Sequence, residues 1–403
     1  MEDRIHSPWH HELPTATKVV LLAYQFLLVP LYLTVLGVQW LDWTHPVVSA
    51  LFWGSEALIF VVSAILAMLC WRPGVVPRRT IEGTPSVDVF ITTIDEDEDL
   101  LARTIRHCVA MRYAHETWVL DDGGRDWVRA LAERLGARYV SRRDRAGAKA
   151  GNLNHALGLT RGELVAIFDA DGIPRPEFLE EIVGHFADPG VAVVQGSQRI
   201  YNLDSFQCGG GQQKHFLWNE QSIFWDVIQS GRNRFDGALW CGSGAMLRRS
   251  AIEAIGGIPT DTVTEDYQAT LRLQARGYRV VFDPRPLSYT QGPRDCESFV
   301  KQRDRWCRGT LRTLRLEARN LWRSPHVRLG QFFSAFAPVS YYFESVIRIL
   351  TLVLPFALLV SGGTAFRGGW LGLLCVPAMW LLRGNVYAIL SRHRGAHRSV
   401  GGF

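Results

Sequence analysis

The chain has 403 residues, of which 47% are hydrophobic and 21% charged, with a formal charge of +5. That length holds two or three domains, and a charge so mild and dispersed gives no case for a nucleic-acid partner. Seven scattered cysteines with no CxxC pair argue against a disulfide framework or a zinc site and fit a reducing compartment.

The first 72 residues read as a membrane region. Val19 to Trp40 carries no formal charge, and Pro46 to Trp71 is as apolar except for Glu56. Each run can cross a hydrocarbon core of roughly 30 Å as a helix. The first is too long for a signal peptide and lacks a small-residue cleavage site. The link "LDWTH" has no Lys or Arg, whereas Arg72, Arg78 and Arg79 follow the second run. The link is therefore expected outside, with the N-terminus and the middle of the chain in the cytoplasm. Glu56 either lines a polar path or bonds between helices.

Residues 80–325 read as a cytoplasmic α/β domain. "VDVFITT" (87–93), "WVLDD" (118–122), "LVAIFDAD" (164–171) and "VAVVQG" (191–196) are apolar runs of strand length. Helical patterns occupy 98–111, 126–136, 149–160 and 176–187. Such alternation predicts a mostly parallel sheet with helices on both faces, and ligands beyond the carboxyl ends of its strands. Acids stand at those ends: Asp121 and Asp122, then Asp169 and Asp171, with a third group, Glu265 and Asp266, opening a helix. Any one of these has a plain structural reading, as a turn aspartate or a first-turn acid. Together they suit a diphosphate leaving group. Mg²⁺ or Mn²⁺ takes one or two carboxylates plus substrate phosphates, and a separate carboxylate accepts the proton of an attacking hydroxyl.

"QRDRWCRGTLR" (302–312) has two readings on its own: basic residues holding headgroups beside a membrane, or a substrate site. Residues 326–403 are expected to hold an interfacial helix and about two more membrane helices. Val339 to Val360 is interrupted by Glu344 and Arg348, and Trp370 to Leu390 by Arg383 and Asn385, before a basic tail.

Taken in order, "DVFITTIDED", "LDDGGRD", "KAGNLNHALG", "FDADGIP", "LWCGSGAMLRR", "TEDYQATLRL" and "QRDRW" resemble the processive inverting transferases of glycosyltransferase family 2. Within it they are most similar to the catalytic subunits of bacterial cellulose synthases, over about residues 85 to 345. The resemblance implies a GT-A-like α/β nucleotide-sugar transferase domain flanked by transmembrane helices, in a multi-pass protein of the inner (plasma) membrane. It implies a UDP-sugar donor, a growing glycan acceptor and Mg²⁺ or Mn²⁺. Residue by residue, Asp122 would help hold the uridine diphosphate part and Lys149 would approach the diphosphate. Asp169 and Asp171 would bind the metal, and Asp266 would be the general base. Cys241, Gly242 and Ser243 would line the acceptor terminus. Gln302, Arg303 and Arg305 would clamp the diphosphate, with Trp306 under the acceptor sugar.

UDP-glucose to β-1,4-glucan is the leading expectation. UDP-N-acetylglucosamine or another linkage, a lipid-phosphate glycosyltransferase and an inactive membrane scaffold are the alternatives. The chain departs from the pattern at Ile94, where a Tyr is common, and around "QCGGGQQKH" (207–215). It also ends at Phe403 without the further helices, gating loop and PilZ domain of the larger subunits. An incomplete channel, finished by a second copy or a partner subunit, is therefore expected.

Overall fold

A computed structural model describes residues 14–72, 74, 76–213, 216–219, 221–360, 367 and 374–384. Two compact units emerge: an α/β unit whose described residues fall within 74–335, and a helical unit whose described residues fall within 14–72 and 336–384.

The described residues of the α/β unit form ten strands: β1 (Val87–Thr93), β2 (Glu116–Asp121), β3 (Arg138–Ser141), β4 (Leu164–Asp169), β5 (Ile173–Pro174), β6 (Val191–Ile200), β7 (Cys208–Gln213), β8 (Phe216–Asn219), β9 (Ala245–Arg248) and β10 (Arg279–Thr290). Eight form one sheet in the order β3-β2-β1-β4-β9-β6-β10-β5, and β7 and β8 form a hairpin. Among the described residues the four expected strands are present, as are helices at Glu98–Val109, Asp126–Arg134, Ala148–Leu159 and Phe178–Val183. Parallel pairings predominate but the sheet is mixed, because β9 inserts antiparallel between β4 and β6 and β5 runs antiparallel to β10.

Alternation explains why these runs become strands. Val87, Val89 and Ile91 pack into one core with Leu101, Ile105 and Phe178, while Phe90 faces a second core with Leu153, Trp240 and Leu247. Successive side chains point to opposite faces, so a strand covered on both sides reads as continuously apolar. Because β2, β1 and β4 are parallel, their carboxyl ends share one edge, where Thr93 lies level with Asp121 and Thr92 with Asp169.

Two helices complete that edge. The helix Glu265–Ala275 packs against Cys296–Arg323 through polar contacts. Thr264 Oγ1 lies 3.1 Å from Thr313 Oγ1. Buried Glu317 accepts from Gln268 Nε2 at 2.8 Å and Arg272 Nε at 2.7 Å. A buried carboxylate needs such partners, and these fix the register of one helix on the other.

In the helical unit, Thr15–Trp40 and Pro46–Leu69 are, among the described residues, the two helices long and apolar enough to cross a membrane. Phe26, Leu27 and Val38 on the first and Val47 and Val61 on the second are exposed. Glu56 is fully enclosed, accepting from Tyr32 Oη at 3.0 Å and Trp380 Nε1 at 3.1 Å, so it bonds between helices. The expected span Val339–Val360 lies within the helix Leu329–Val360. Most of the expected span Trp370–Leu390 falls outside the described residues, which include only a short apolar helix, Leu374–Gly384.

Candidate active site

The centre of the site is a cluster of opposed charges. Asp169, at the end of β4, accepts from Lys149 Nζ and, at 3.2 Å, from Thr92 Oγ1. Lys149 reaches it from the first turn of the helix Ala148–Leu159. That turn is tight: a Cβ on Gly151 would lie 1.9 Å from Ala146 O, so the glycine of "KAGN" is a steric requirement. Asn152 Nδ2 donates to Leu120 O at 3.0 Å and ties the helix to β2. Burial works against the Lys149 ammonium, but Asp169, Glu265 and Asp266 outweigh it and hold the group above its ordinary range.

Asp266 is another neighbour of Lys149. Its Oδ1 accepts from the Tyr267 N–H at 2.7 Å. Its Oδ2 faces Gly242, where a Cβ would sit 3.1 Å from Oδ2 and 3.4 Å from Lys149 Nζ. Burial first, then the neighbouring Glu265 carboxylate, pushes Asp266 up to about 7. Burial also raises Glu265, with Lys149 and Arg305 pulling it back. A buried acid poised near neutrality is able to accept a proton at working pH.

The turn Cys241–Gly244 is built by one side chain that sequence reasoning missed. Gln195, fully buried on β6, donates from Nε2 to Ser243 O at 2.9 Å and to Gly244 O at 3.2 Å. Its Oε1 accepts from the Cys241 N–H at 2.8 Å. Ser243 Oγ then accepts from the Asp169 N–H at 3.0 Å, joining the turn to the acid strand. On its other flank, Trp240 N–H donates to Thr270 Oγ1 at 3.1 Å, and that hydroxyl donates to Asp266 O at 2.9 Å. Burial raises the Cys241 thiol, so it is a neutral group at the site wall.

Asp171 points to the far end of the sheet. Its Oδ2 accepts from Thr290 Oγ1 and from the Gln291 N–H, both at 2.9 Å. Burial and the charge of Asp169 raise it. Asp169 Oδ2 and Asp171 Oδ1 carry no hydrogen bond among the described residues. No group of three or more metal-type side chains occurs among them either. Two hard oxygen donors with a free oxygen each fit Mg²⁺ or Mn²⁺ completed by phosphate and water.

Asp122 is placed differently from the rest. Both its oxygens are gripped by Arg142, from Nε at 2.6 Å and Nη2 at 2.8 Å, and Arg142 also donates to Ala146 O and Ala148 O. Arg142 was not legible as a site residue, since nothing in its spacing sets it apart. Asp121 accepts from the backbone N–H groups of Gly123 and Arg125 and from Tyr139, so it shapes the "DDG" turn. Beside that turn, Glu96 accepts from Thr93 Oγ1 at 2.6 Å and the Ile94 N–H at 2.8 Å.

The "QRDRW" residues lie one after another on the helix Cys296–Arg323. Arg305 is exposed and its field reaches Glu265. Arg303 is held between rings, with its guanidinium 4.6 Å from Trp306 and 4.8 Å from Phe299. Gln302 Oε1 is enclosed with no hydrogen-bond partner among the described residues. Direct contacts thus unite Lys149, Asp169, Gly242, Ser243 and Asp266. Gln302, Arg303 and Trp306 share a helix with Arg305, whose charge is the link from that helix to Glu265.

Residues 164–382, more than half of the chain, match the model of glycosyl transferase family group 2. The cellulose synthase 1 catalytic subunit (UDP-forming) of Komagataeibacter xylinus is 35% identical over 304 residues, covering 73% of this chain and 40% of that protein. The cellulose synthase catalytic subunit (UDP-forming) of Pseudomonas fluorescens strain SBW25 is 31% identical over 337 residues, covering 81% and 45%. The matched region therefore spans less than half the length of these relatives. Among solved structures, the mannosyltransferase PcManGT from Pyrobaculum calidifontis, in complex with GDP-Man and Mn²⁺, superposes with a TM-score of 0.63. It is 20% identical, over 87% of this chain and 97% of that one, which establishes the shared GT-A-like fold. With a family model matching over half its length and its acids gathered at the edge of that sheet, the chain belongs to glycosyl transferase family group 2.

Proposed function

We propose that this protein is a membrane-embedded, inverting β-glycan synthase that transfers a hexose from a UDP-sugar to the non-reducing end of a growing chain. UDP-glucose and a β-1,4-glucan are the favoured donor and product. The observation that carries this reading is the placement of Asp266 against Gly242 and Lys149, with its carboxyl pushed up to about 7. The relatives from K. xylinus and P. fluorescens are UDP-forming cellulose synthase catalytic subunits, which supports the choice of donor and product. Two apolar helices of spanning length support the membrane, with the α/β unit on its cytoplasmic side.

In this reading Asp266 accepts the proton of the acceptor hydroxyl as the oxygen attacks the anomeric carbon. The bond from that carbon to the diphosphate breaks on the opposite face, and UDP leaves with the electron pair, so the configuration inverts. Lys149 and the guanidinium groups of Arg303 and Arg305 meet the charge that develops on the diphosphate. Asp169 and Asp171 would hold a divalent ion, which supplies further charge neutralisation when bound. Cys241, Gly242 and Ser243 form the wall against which the acceptor end rests. Trp306 offers it a broad apolar face with a polar rim. Gln302 belongs with Arg303 and Arg305 at the diphosphate, its amide oxygen having no hydrogen-bond partner among the described residues. Asp122 serves the nucleotide end by holding Arg142 and, through it, the loop that precedes Lys149.

The test is to supply membranes containing the protein with several labelled UDP-sugars and to digest the product with linkage-specific glycanases. Incorporation from UDP-glucose into material cleaved only by a β-1,4-glucanase is the expected result. Incorporation from another sugar, or resistance to that enzyme, overturns the assignment of substrate. No incorporation from any donor overturns the activity.

A further inference from the structure

The carboxylate of Asp171 takes its orientation from a distant part of the chain. The two donors to its Oδ2, Thr290 Oγ1 and the Gln291 N–H, lie where β10 ends. The pairing of β10 with β6 stops at Thr290 opposite Ile200. The next residues are held by the segment that follows β6. Asn202 Oδ1 accepts from the Gly292 N–H at 2.7 Å, and Asn202 Nδ2 donates to Gly292 O at 3.1 Å. One side-chain amide thus grips both peptide groups that flank Gly292. Its own orientation is set by Asp204 Oδ1, which accepts from the same Nδ2 at 2.8 Å. Backbone bonds from Tyr201 N–H to Thr290 O at 3.1 Å and from Phe206 N–H to Pro293 O at 2.8 Å fasten the two segments on either side.

Resting on the reading of Asp169 and Asp171 as ion ligands, we infer that Asn202 is a positioning residue for Asp171. It fixes the peptide next to the Gln291 donor, and that donor fixes the carboxylate. A carboxylate ligand is useful only within about half an ångström of its working position. Groups behind the ligands that set their direction typically change metal affinity by about 10- to 100-fold when removed. Asn202 is partly exposed, so water can satisfy Gly292 once the amide is gone.

The experiment is binding of UDP to the purified full-length protein in detergent, by calorimetry, across a titration of Mn²⁺. For Asn202→Ala the Mn²⁺ concentration that gives half-maximal UDP binding should rise on the order of 10-fold, while the weak binding of UDP in excess chelator is unchanged. Asn202→Asp keeps the acceptor for the Gly292 N–H and loses the donor to its carbonyl. It should give a smaller rise, and it decides the matter if the alanine variant does not fold. Asp171→Asn marks full loss of the ligand. An unchanged Mn²⁺ midpoint in a folded Asn202 variant, with wild-type binding Mn²⁺-dependent, overturns the positioning role alone. Wild-type UDP binding that ignores Mn²⁺ overturns the ion reading of Asp169 and Asp171, and the role of Asn202 with it.

Discussion

Asp266 Oδ2 lies so close to Gly242 that a single methyl group there would sit 3.1 Å from it. Gly242 also has φ of +82°, a conformation that costs an L-residue about 1 kcal/mol or more. Gly242→Ala should therefore injure the site more than the fold. Glycan synthesis should drop roughly 100-fold, as expected for a reacting group moved by about an ångström. The melting temperature of the purified protein should fall by only a few degrees. Wild-type rates in this variant would show that Asp266 does not need its present position.

Removing the acid itself should be more severe. Asp266→Asn should lower the rate of polymerisation by about 10²- to 10⁴-fold, while UDP binding, measured separately, survives. The pH dependence follows from the raised Asp266. A base acts in its deprotonated form, so activity should be nearly full above neutrality and fall as pH drops through about 7. One unit below, about a tenth of the base form remains. The residual rate of the Asn variant should lack this acid limb.

Asp169→Ala and Asp171→Ala should each weaken Mn²⁺- or Mg²⁺-dependent binding of UDP, and excess chelator should stop turnover. Undiminished transfer in chelator would exclude the ion from the mechanism.

Trp306→Ala tests the two faces of one indole. Because the Arg303 guanidinium lies 4.6 Å from that ring, losing it should also loosen a group proposed to hold the diphosphate. A cation–π contact of about 0.5–1 kcal/mol corresponds to a several-fold weakening of UDP binding at most. Chain extension, scored by product length, should fall much further. Equal losses in both assays would place Trp306 at the donor alone.

In the helical unit, Glu56 holds Tyr32 and Trp380 together. Glu56→Gln keeps an acceptor for them and should preserve both thermal stability in detergent and glycan synthesis. Glu56→Leu leaves both donors unpaired and should lower the melting temperature, by an amount consistent with about 0.6–1.7 kcal/mol per interhelical bond. A large loss of synthesis in a stable Gln variant would favour a polar path through this position instead.

The parts of the fold visible in the sequence are those whose physics is local. β1, β2, β4 and β6 stand out as apolar runs, and acids mark the ends of β2 and β4. β9 has only four residues, Ala245–Arg248, and no alternation long enough to notice. β10 contains Pro284 and Pro286, which read as a break, and the strand tolerates them with irregular register between Asp283 and Ser288. At the site, the acids were legible because three groups of them fall together at strand or helix ends, and "QRDRW" because it stands in order with the other motifs of the resemblance. Gln195, Arg142 and Asn202 were not. Each acts through bonds to a segment that only the folded chain brings near, as when Gln195 reaches Cys241.

The insertion of β9 also bears on how the protein is made. β4 and β6 are close in sequence, yet they never pair with each other, and the place between them waits for residues 245–248. A nascent chain that has emerged only to residue 240 therefore carries two open strand edges in its middle, each a template for pairing with another chain. Its neighbours β3-β2-β1-β4 can assemble early, because their contacts are parallel crossovers within one stretch. The second half of the sheet must wait for β9 and β10 together. Synthesis thus has a vulnerable interval roughly between the emergence of β6 and that of β10, and chains that stall within it are the ones expected to aggregate or to be degraded.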